Sequence, residues 1–204
     1  MKTTITLIAA MLLLVMTGCK EQPPADARYP FKSAIIKKIT GGETENTIYI
    51  DDYGAKETIE TILADPNTTS IHALRIRLPG GELAILVNLL DRTADLIPSD
   101  EMYTYYGITY MDAEDLKDYK EVGEEMVDDK PCKIYRRNPS ELDPPGPDEE
   151  DSLWIWNGIL MQQLISFGEI CTGSRIESFQ ENVPVPQEKF EIPKGIKIKE
   201  SPNE

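Results

Sequence analysis

The sequence predicts a mainly β domain of the α+β class, and three observations carry that expectation. Leu153-Trp154-Ile155-Trp156 and Ile159-Leu160-Met161 flank Asn157-Gly158. Asn-Gly between apolar runs is the favoured two-residue type I′ hairpin, because both turn positions need positive φ. Residues 71 to 78 alternate, with His72, Leu74, Ile76 and Leu78 on one side and Ala73, Arg75 and Arg77 on the other, which is the period of a strand. Glycine pairs at Gly41-Gly42 and Gly80-Gly81 then break the strand-like runs as turns do.

The first residues read as an export signal, outside the fold. Lys2, an apolar run from Ile5 to Met16 and the small residues Thr17 and Gly18 precede Cys19, the order of parts in a secretory signal. The run is too short for a membrane-spanning helix, which needs about 20 residues. Met16-Thr17-Gly18-Cys19 resembles the bacterial lipobox, with Met standing where Leu is usual. That resemblance implies that residues 1–18 are a lipoprotein signal peptide and that Cys19 is the lipidation site. Cys19 would carry a diacylglyceryl group and palmitate-type acylation of its new amino terminus. The alternative is an ordinary secretion signal with a chance cysteine. Stable anchoring takes two lipid signals, and three chains exceed that. Residues 19–29, with Pro23-Pro24, form an extended tether. Residues 30–204 form a single domain. Lys20 is not the Asp that retains enterobacterial lipoproteins in the inner membrane, so the same resemblance implies the outer membrane, facing the periplasm.

Within the domain, Phe31 to Thr40 and Asn46 to Asp51 make a first hairpin, with Phe31, Ser33, Ile35 and Ile39 on one side of its first strand. Ile48 and Ile50 oppose Thr47 and Tyr49 across the second. Ala55 to Asp65 carries Ile59, Ile62 and Leu63 on one stripe before Pro66, a short helix by spacing. Leu83 to Leu90 is apolar on both faces, as in a strand covered on each side. Pro98 to Val127 is rich in acids and tyrosines; Ala113 to Val127 has helical spacing at Leu116, Tyr119 and Val122 or Gly123, and the region is expected as one or two covering helices. Lys130 to Arg137 is a strand with Cys132 and Ile134 on one face. Asn138 to Ser152 is an exposed acidic loop, and Arg175 to Val185 is the closing strand. In the Asn-Gly hairpin, Trp156 opposes Ile159, Ile155 opposes Leu160 and Trp154 opposes Met161. Trp154, Trp156, Ile159 and Met161 therefore share a face.

Charge excludes partners. The net charge is −15, and removal of residues 1–18 takes Lys2 with them, leaving −16. Nucleic acids and anionic headgroups are polyanions, so the surface as a whole repels both. Cys132 and Cys171 are the cysteines left for the folded domain. An isolated pair in an oxidising compartment is expected as a disulfide, the alternative being two buried thiols. Catalytic signals are thin. His72 stands alone on an apolar face, Ser70, Ser99, Ser152 and Ser166 lack a nucleophile-elbow context, and the thiols have no histidine at a recognisable spacing. Asp51-Asp52, Asp128-Asp129 and Asp148 to Asp151 offer oxygen ligands without an EF-hand spacing. The expectation is a non-enzyme without metal or cofactor.

One longer resemblance remains. Lys130-Pro131-Cys132-Lys133-Ile134-Tyr135, then Trp154-Ile155-Trp156-Asn157-Gly158, then Phe190-Glu191-Ile192-Pro193-Lys194-Gly195 resemble, in that order, the LolA/LolB-like lipoprotein-carrier superfamily. The resemblance covers residues 30 to 198 in outline. It implies a curved antiparallel sheet, an open half-barrel whose concave face is apolar and partly covered by helices. Two functions follow. In the first, Trp154, Trp156, Ile159 and Met161 line a cavity for a lipid, a lipoprotein or another apolar ligand. In the second, the chain's own side chains fill the sheet and its acidic surface docks an envelope protein partner.

Overall fold

β-Branched and aromatic residues recur along this chain, and turn residues at short intervals fold them into hairpins. The computed structural model describes residues 23–25, 27–63, 70–102, 107–138 and 149–199. The strands are β1 (Ala34–Thr40), β2 (Thr44–Asp51), β3 (Lys56–Leu63), β4 (Ile71–Arg77), β5 (Leu83–Asn88) and β6 (Thr93–Pro98). They continue as β7 (Tyr119–Val127), β8 (Lys130–Arg137), β9 (Glu149–Trp156), β10 (Ile159–Phe167), β11 (Ile170–Glu181) and β12 (Lys197–Ile198). All join one open, curved sheet in the order β12-β6-β5-β4-β3-β2-β1-β11-β10-β9-β8-β7. Two meanders, β1 to β6 and β7 to β11, meet where β1 pairs antiparallel with β11. Among the described strands β12 alone pairs in parallel, with β6.

The two faces have separate cores. The concave face gathers Ile36, Ile48, Ile50, Ile59, Ala84, Cys132, Trp154, Ile159, Met161, Ile176 and Phe179. On the outer face of β4 to β6, Ile76, Ile85, Val87 and Ala94 are covered by Ile192 and Ile196 of the C-terminal segment. Ala84 in one core and Ile85 in the other show why residues 83 to 90 are apolar on both faces. Leu74, Ile76 and Leu78 share the outer core, as their alternation predicts.

Among the described residues the covering helices do not form. Residues 56–63 are strand β3, because Glu57, Ile59 and Thr61 point inward and are all buried, while Glu60 lies on the other face. A buried Glu and Thr disguised the alternation as a helical stripe. Ala64 to Pro66 lie outside the described residues. The segment 98–127 holds a 3-10 turn at Asp100–Met102, turns around residues 113 to 118 and edge strand β7. A bulge between Glu121 and Gly123 interrupts the two-residue period there, which mimics helical spacing. Cover comes instead from irregular chain. Met102 and Ile108 are buried in the concave core, Lys38 Nζ donates to Gly107 O at 3.0 Å, and Leu160 N donates to Thr109 O at 2.9 Å.

Other boundaries shift. β1 begins at Ala34 and turns Ile36 rather than Ile35 into the core. The acidic loop ends earlier than expected, since β9 starts at Glu149, and residues 139–148 lie outside the described residues. β11 starts at Ile170, five residues before the expected strand.

The disulfide is a further correction: Cys132 is a buried free thiol and Cys171 an exposed one. β9 and β10 separate their strands. Three strand spacings are roughly 14 Å, and a bridge needs α-carbons within about 7 Å.

Candidate functional site

The tryptophan hairpin forms with φ of 49° at Asn157 and 81° at Gly158, the geometry its sequence calls for. Trp156 pairs with Ile159 and Ile155 with Leu160 as predicted, but a bulge at Met161 places Gln162 opposite Trp154. From Ile159 to Leu160 the free edge of β10 meets the strap after β6 instead of β11, through Tyr110 opposite Ile159. Trp154, Trp156, Ile159 and Met161 still converge on the concave face.

That face is filled by the chain itself. Aromatic rings follow one another across it: Tyr110 on Tyr29 (5.8 Å between centroids), Tyr29 on Phe31 (5.3 Å), Phe31 against Phe179 (5.4 Å) and Phe179 against Trp156 (5.5 Å). Lys130 Nζ sits 4.4 Å from the Trp156 ring centroid and pairs with Glu181 at 2.6 Å, a cation–π contact closed by an ion pair. The buried Trp154 finds the partner an indole N–H needs, donating to Glu125 Oε2 at 2.7 Å. Ile159 and Met161 have no exposed surface. The four residues form core here.

A groove lies elsewhere, at the end of the sheet beside Pro24, Ala27 and Arg28. A half-open cleft of about 920 Å³ is lined by Pro24, Arg28, Tyr53, Lys56, Arg77 and Phe190, among others, within the range of ligand pockets. Its floor is the β2–β3 connection, where Asp52, Tyr53 and Gly54 take φ of 50°, 54° and 91°. Two non-glycine residues in the left-handed region store strain, which persists only where the surroundings impose it. Those surroundings are visible: Tyr53 N donates to Lys32 O, Tyr53 O accepts from the backbone of Arg28 and Tyr29, and Gly54 O accepts from Arg77 Nη1 at 2.6 Å. Below, the fully buried Glu57 accepts from Tyr29 Oη at 2.9 Å and lies 3.8 Å from Arg28 Nε. Lys56 reaches Gln187 at 3.0 Å and Asp51 at 3.7 Å. Arg77 differs: its Nε is buried without a hydrogen-bond partner.

Sequence reasoning missed this cleft. The available signal was Arg77, a cation ending an alternating strand just before Pro79-Gly80-Gly81. The other candidates have structural partners. His72 Nε2 lies 2.9 Å from Glu60 Oε1 on the outer face, beside Lys189 and Tyr49. Burial alone would raise the Glu60 pKa, but hydrogen bonds from His72, Lys189 and Tyr49 hold it below the usual carboxylate range. Ser99 donates to Gly81 O and Ser152 to Glu150. Asp128 accepts from Phe179 N, and Asp151 accepts from Tyr119 Oη. Among the described residues no three metal-ligating side chains cluster. Cys19 lies outside the described residues.

No protein-family model matches the chain, and no curated protein does. Solved structures do. An uncharacterized conserved protein from Thermus thermophilus aligns at a TM-score of 0.50 and 10% identity, covering 82% of this chain and 90% of that one. At that identity the shared fold is what the likeness establishes. A chain of the MucA/MucB complex of Pseudomonas aeruginosa aligns at 0.44 and 12% identity, over 78% of this chain and 55% of its own length. A putative outer membrane lipoprotein-sorting protein domain from Vibrio parahaemolyticus aligns at 0.31 and 8%, over 78% and 89%. This chain therefore spans little more than half of the MucA/MucB chain it matches.

Proposed function

We propose that this is a non-catalytic envelope lipoprotein, anchored through lipidated Cys19 in the outer membrane and facing the periplasm. Its LolA/LolB-like half-barrel is closed by its own side chains. It works through its outer surfaces, where an envelope protein docks, and carries no acyl chain in its core. The observation that carries this reading is the aromatic row from Tyr110 to Trp156, which occupies the place where a carrier would hold its ligand. Exposed apolar side chains support a partner. Phe167 and Ile170 face each other at the tip of the β10–β11 hairpin and remain 54% and 68% exposed. Apolar tips of this kind mark interaction sites when they cluster.

The reading is tested in its own host. Cys19→Ser should leave the membrane fraction, and mass spectrometry of apolar extracts from the purified protein should find no stoichiometric lipid beyond the anchor. Membrane retention of the correctly cleaved variant would refute the anchor. A co-purifying fatty acid or phospholipid at one per chain would restore the carrier reading.

A further inference from the structure

Among the described residues two buried side-chain atoms lack a hydrogen-bond partner, Thr58 Oγ1 and Arg77 Nε, and the second belongs to a charged group that lines the cleft. Arg77 Nη1 donates to Gly54 O, while Nε is shut from water without a partner. Among the described residues no carboxylate pairs with it, and Nη2 makes no hydrogen bond. Nε and Nη2 lie on one edge of the guanidinium, two parallel N–H groups of the kind that grips a carboxylate or phosphate in two bonds. An uncompensated guanidinium in a partly buried site is costly unless something completes it.

The surroundings define what completes it. Nη2 lies against Gly81, where an added Cβ would approach to within 2.4 Å, so the loop beside the fork is kept free of side chains. Arg28 and Lys56 add positive charge, and Asp52 is the acid among the lining residues. Asp51 is already near Lys56, and Glu57 is engaged by Tyr29 and Arg28. Leu78, Pro79 and Phe190 supply an apolar rim. The ligand is therefore an oxyanion with an apolar flank.

Position narrows it further. Pro24 and Ala27 of the tether line the same cleft. Cys19 is five residues before Pro24, a span of at most roughly 17 Å. The cleft therefore sits at the root of the anchor. The apolar tip at Phe167 and Ile170 lies at the opposite end of the sheet, since β11 runs from that tip to Glu181, which pairs with Ala34 beside the cleft. An acidic domain tethered this closely is repelled by anionic lipid except where cations gather, as Arg28, Lys56 and Arg77 do along this cleft. We propose that the cleft binds the phosphate of a phospholipid headgroup in the membrane holding the anchor, with Arg77 gripping the phosphate and Lys56 assisting. The choice of a membrane phosphate rests on the anchor reading above.

The test uses the lipidated protein in a phosphate-free maltoside detergent. It is titrated with monomeric dihexanoyl-phosphatidylglycerol and, separately, with inorganic phosphate, while the arginine Nε–H resonances are followed by NMR. The expected result is saturable binding of the lipid that moves the Arg77 signal. Arg77→Lys should weaken it at least about tenfold, because the fork is lost although the charge remains. Lys56→Gln, which leaves the Arg77–Gly54 bond in place, should weaken it several-fold. No saturation, equal affinity for inorganic phosphate, or wild-type binding by both variants would overturn the proposal. Release of Cys19→Ser from membranes reports on the anchor alone, so the two failures are separately visible.

Discussion

The tryptophan hairpin and the Arg77 cleft lie on one sheet and resolve their chemistry in opposite ways. The hairpin brings two indoles together, and both meet the chain's own groups: Trp154 donates to Glu125, and the Trp156 ring packs on Phe179 and Lys130. The cleft brings fewer and smaller apolar groups, yet holds a guanidinium whose Nε has no partner. Large apolar side chains are the residues a chain buries for its own stability, so their convergence marks a core as readily as a ligand wall. A buried donor left unpaired costs folding energy and has no such internal use. On the proposed reading of the cleft, the unpaired guanidinium rather than the partnered indoles marks the binding surface.

The comparison breaks most severely in the aromatic row. Phe179→Ala removes the ring that bridges Phe31 and Trp156 and is expected to cost about 3–5 kcal/mol in urea unfolding. Arg77→Gln should cost about 1 kcal/mol, the ordinary value of one hydrogen bond. Equal losses would show that the cleft is as structural as the row.

Next in size is Lys38, buried on the concave side with its pKa lowered by burial from 10.5 to about 8. Its folded-state pKa lies below the unfolded one. Below pH 8 the folded protein carries the full cost of a buried cation, and that cost fades as pH rises from about 8 to 10.5. Lys38→Met should therefore gain on the wild type at pH 7, less its lost bond to Gly107. That advantage should shrink by about 1–3 kcal/mol by pH 10. Tyr110, pushed up to about 12, and Cys132, also raised by burial, are common to both proteins and cancel. A gap that is flat across this range would place the Lys38 ammonium in water.

Two glycines sharpen the contrast at about 1 kcal/mol. An alanine Cβ at Gly158 would meet its neighbours at 3.7 Å, so Gly158→Ala suffers only from its positive φ. At Gly81 the same substitution also collides with Arg77 Nη2, and it should shift the Arg77 Nε–H resonance where Gly158→Ala leaves it in place. The smallest effect carries no stability change. The exposed Cys171 should react at once with a thiol reagent, whereas the buried Cys132 should react only on unfolding.

Local chemistry was legible in the sequence wherever a rule acts over a few residues. The Asn157-Gly158 turn, the outer face of β4 and both faces of β5 follow from period and turn type. Two causes hid the rest. Glu57 and Thr61 are polar residues buried inside β3, so its alternation could not be read from hydrophobicity. The bulges at Val122 and Met161 shift register by one residue, and no local signal announces them. The cleft was hidden for a third reason, because Arg28, Lys56, Arg77 and Phe190 come from four distant segments. The pairing of β3 with β4 brings Lys56 and Arg77 to one end of the sheet, and Arg28 and Phe190 arrive from outside those strands.

The most direct test of the filled concave face is an oleate titration of the delipidated, folded protein, followed by tryptophan emission. Oleate has no phosphate for the Arg77 cleft, and Trp154 and Trp156 are the chain's two tryptophans. The emission should stay unchanged through the titration. A saturable shift that Trp156→Ala weakens would contradict the account and open the concave face to an acyl chain.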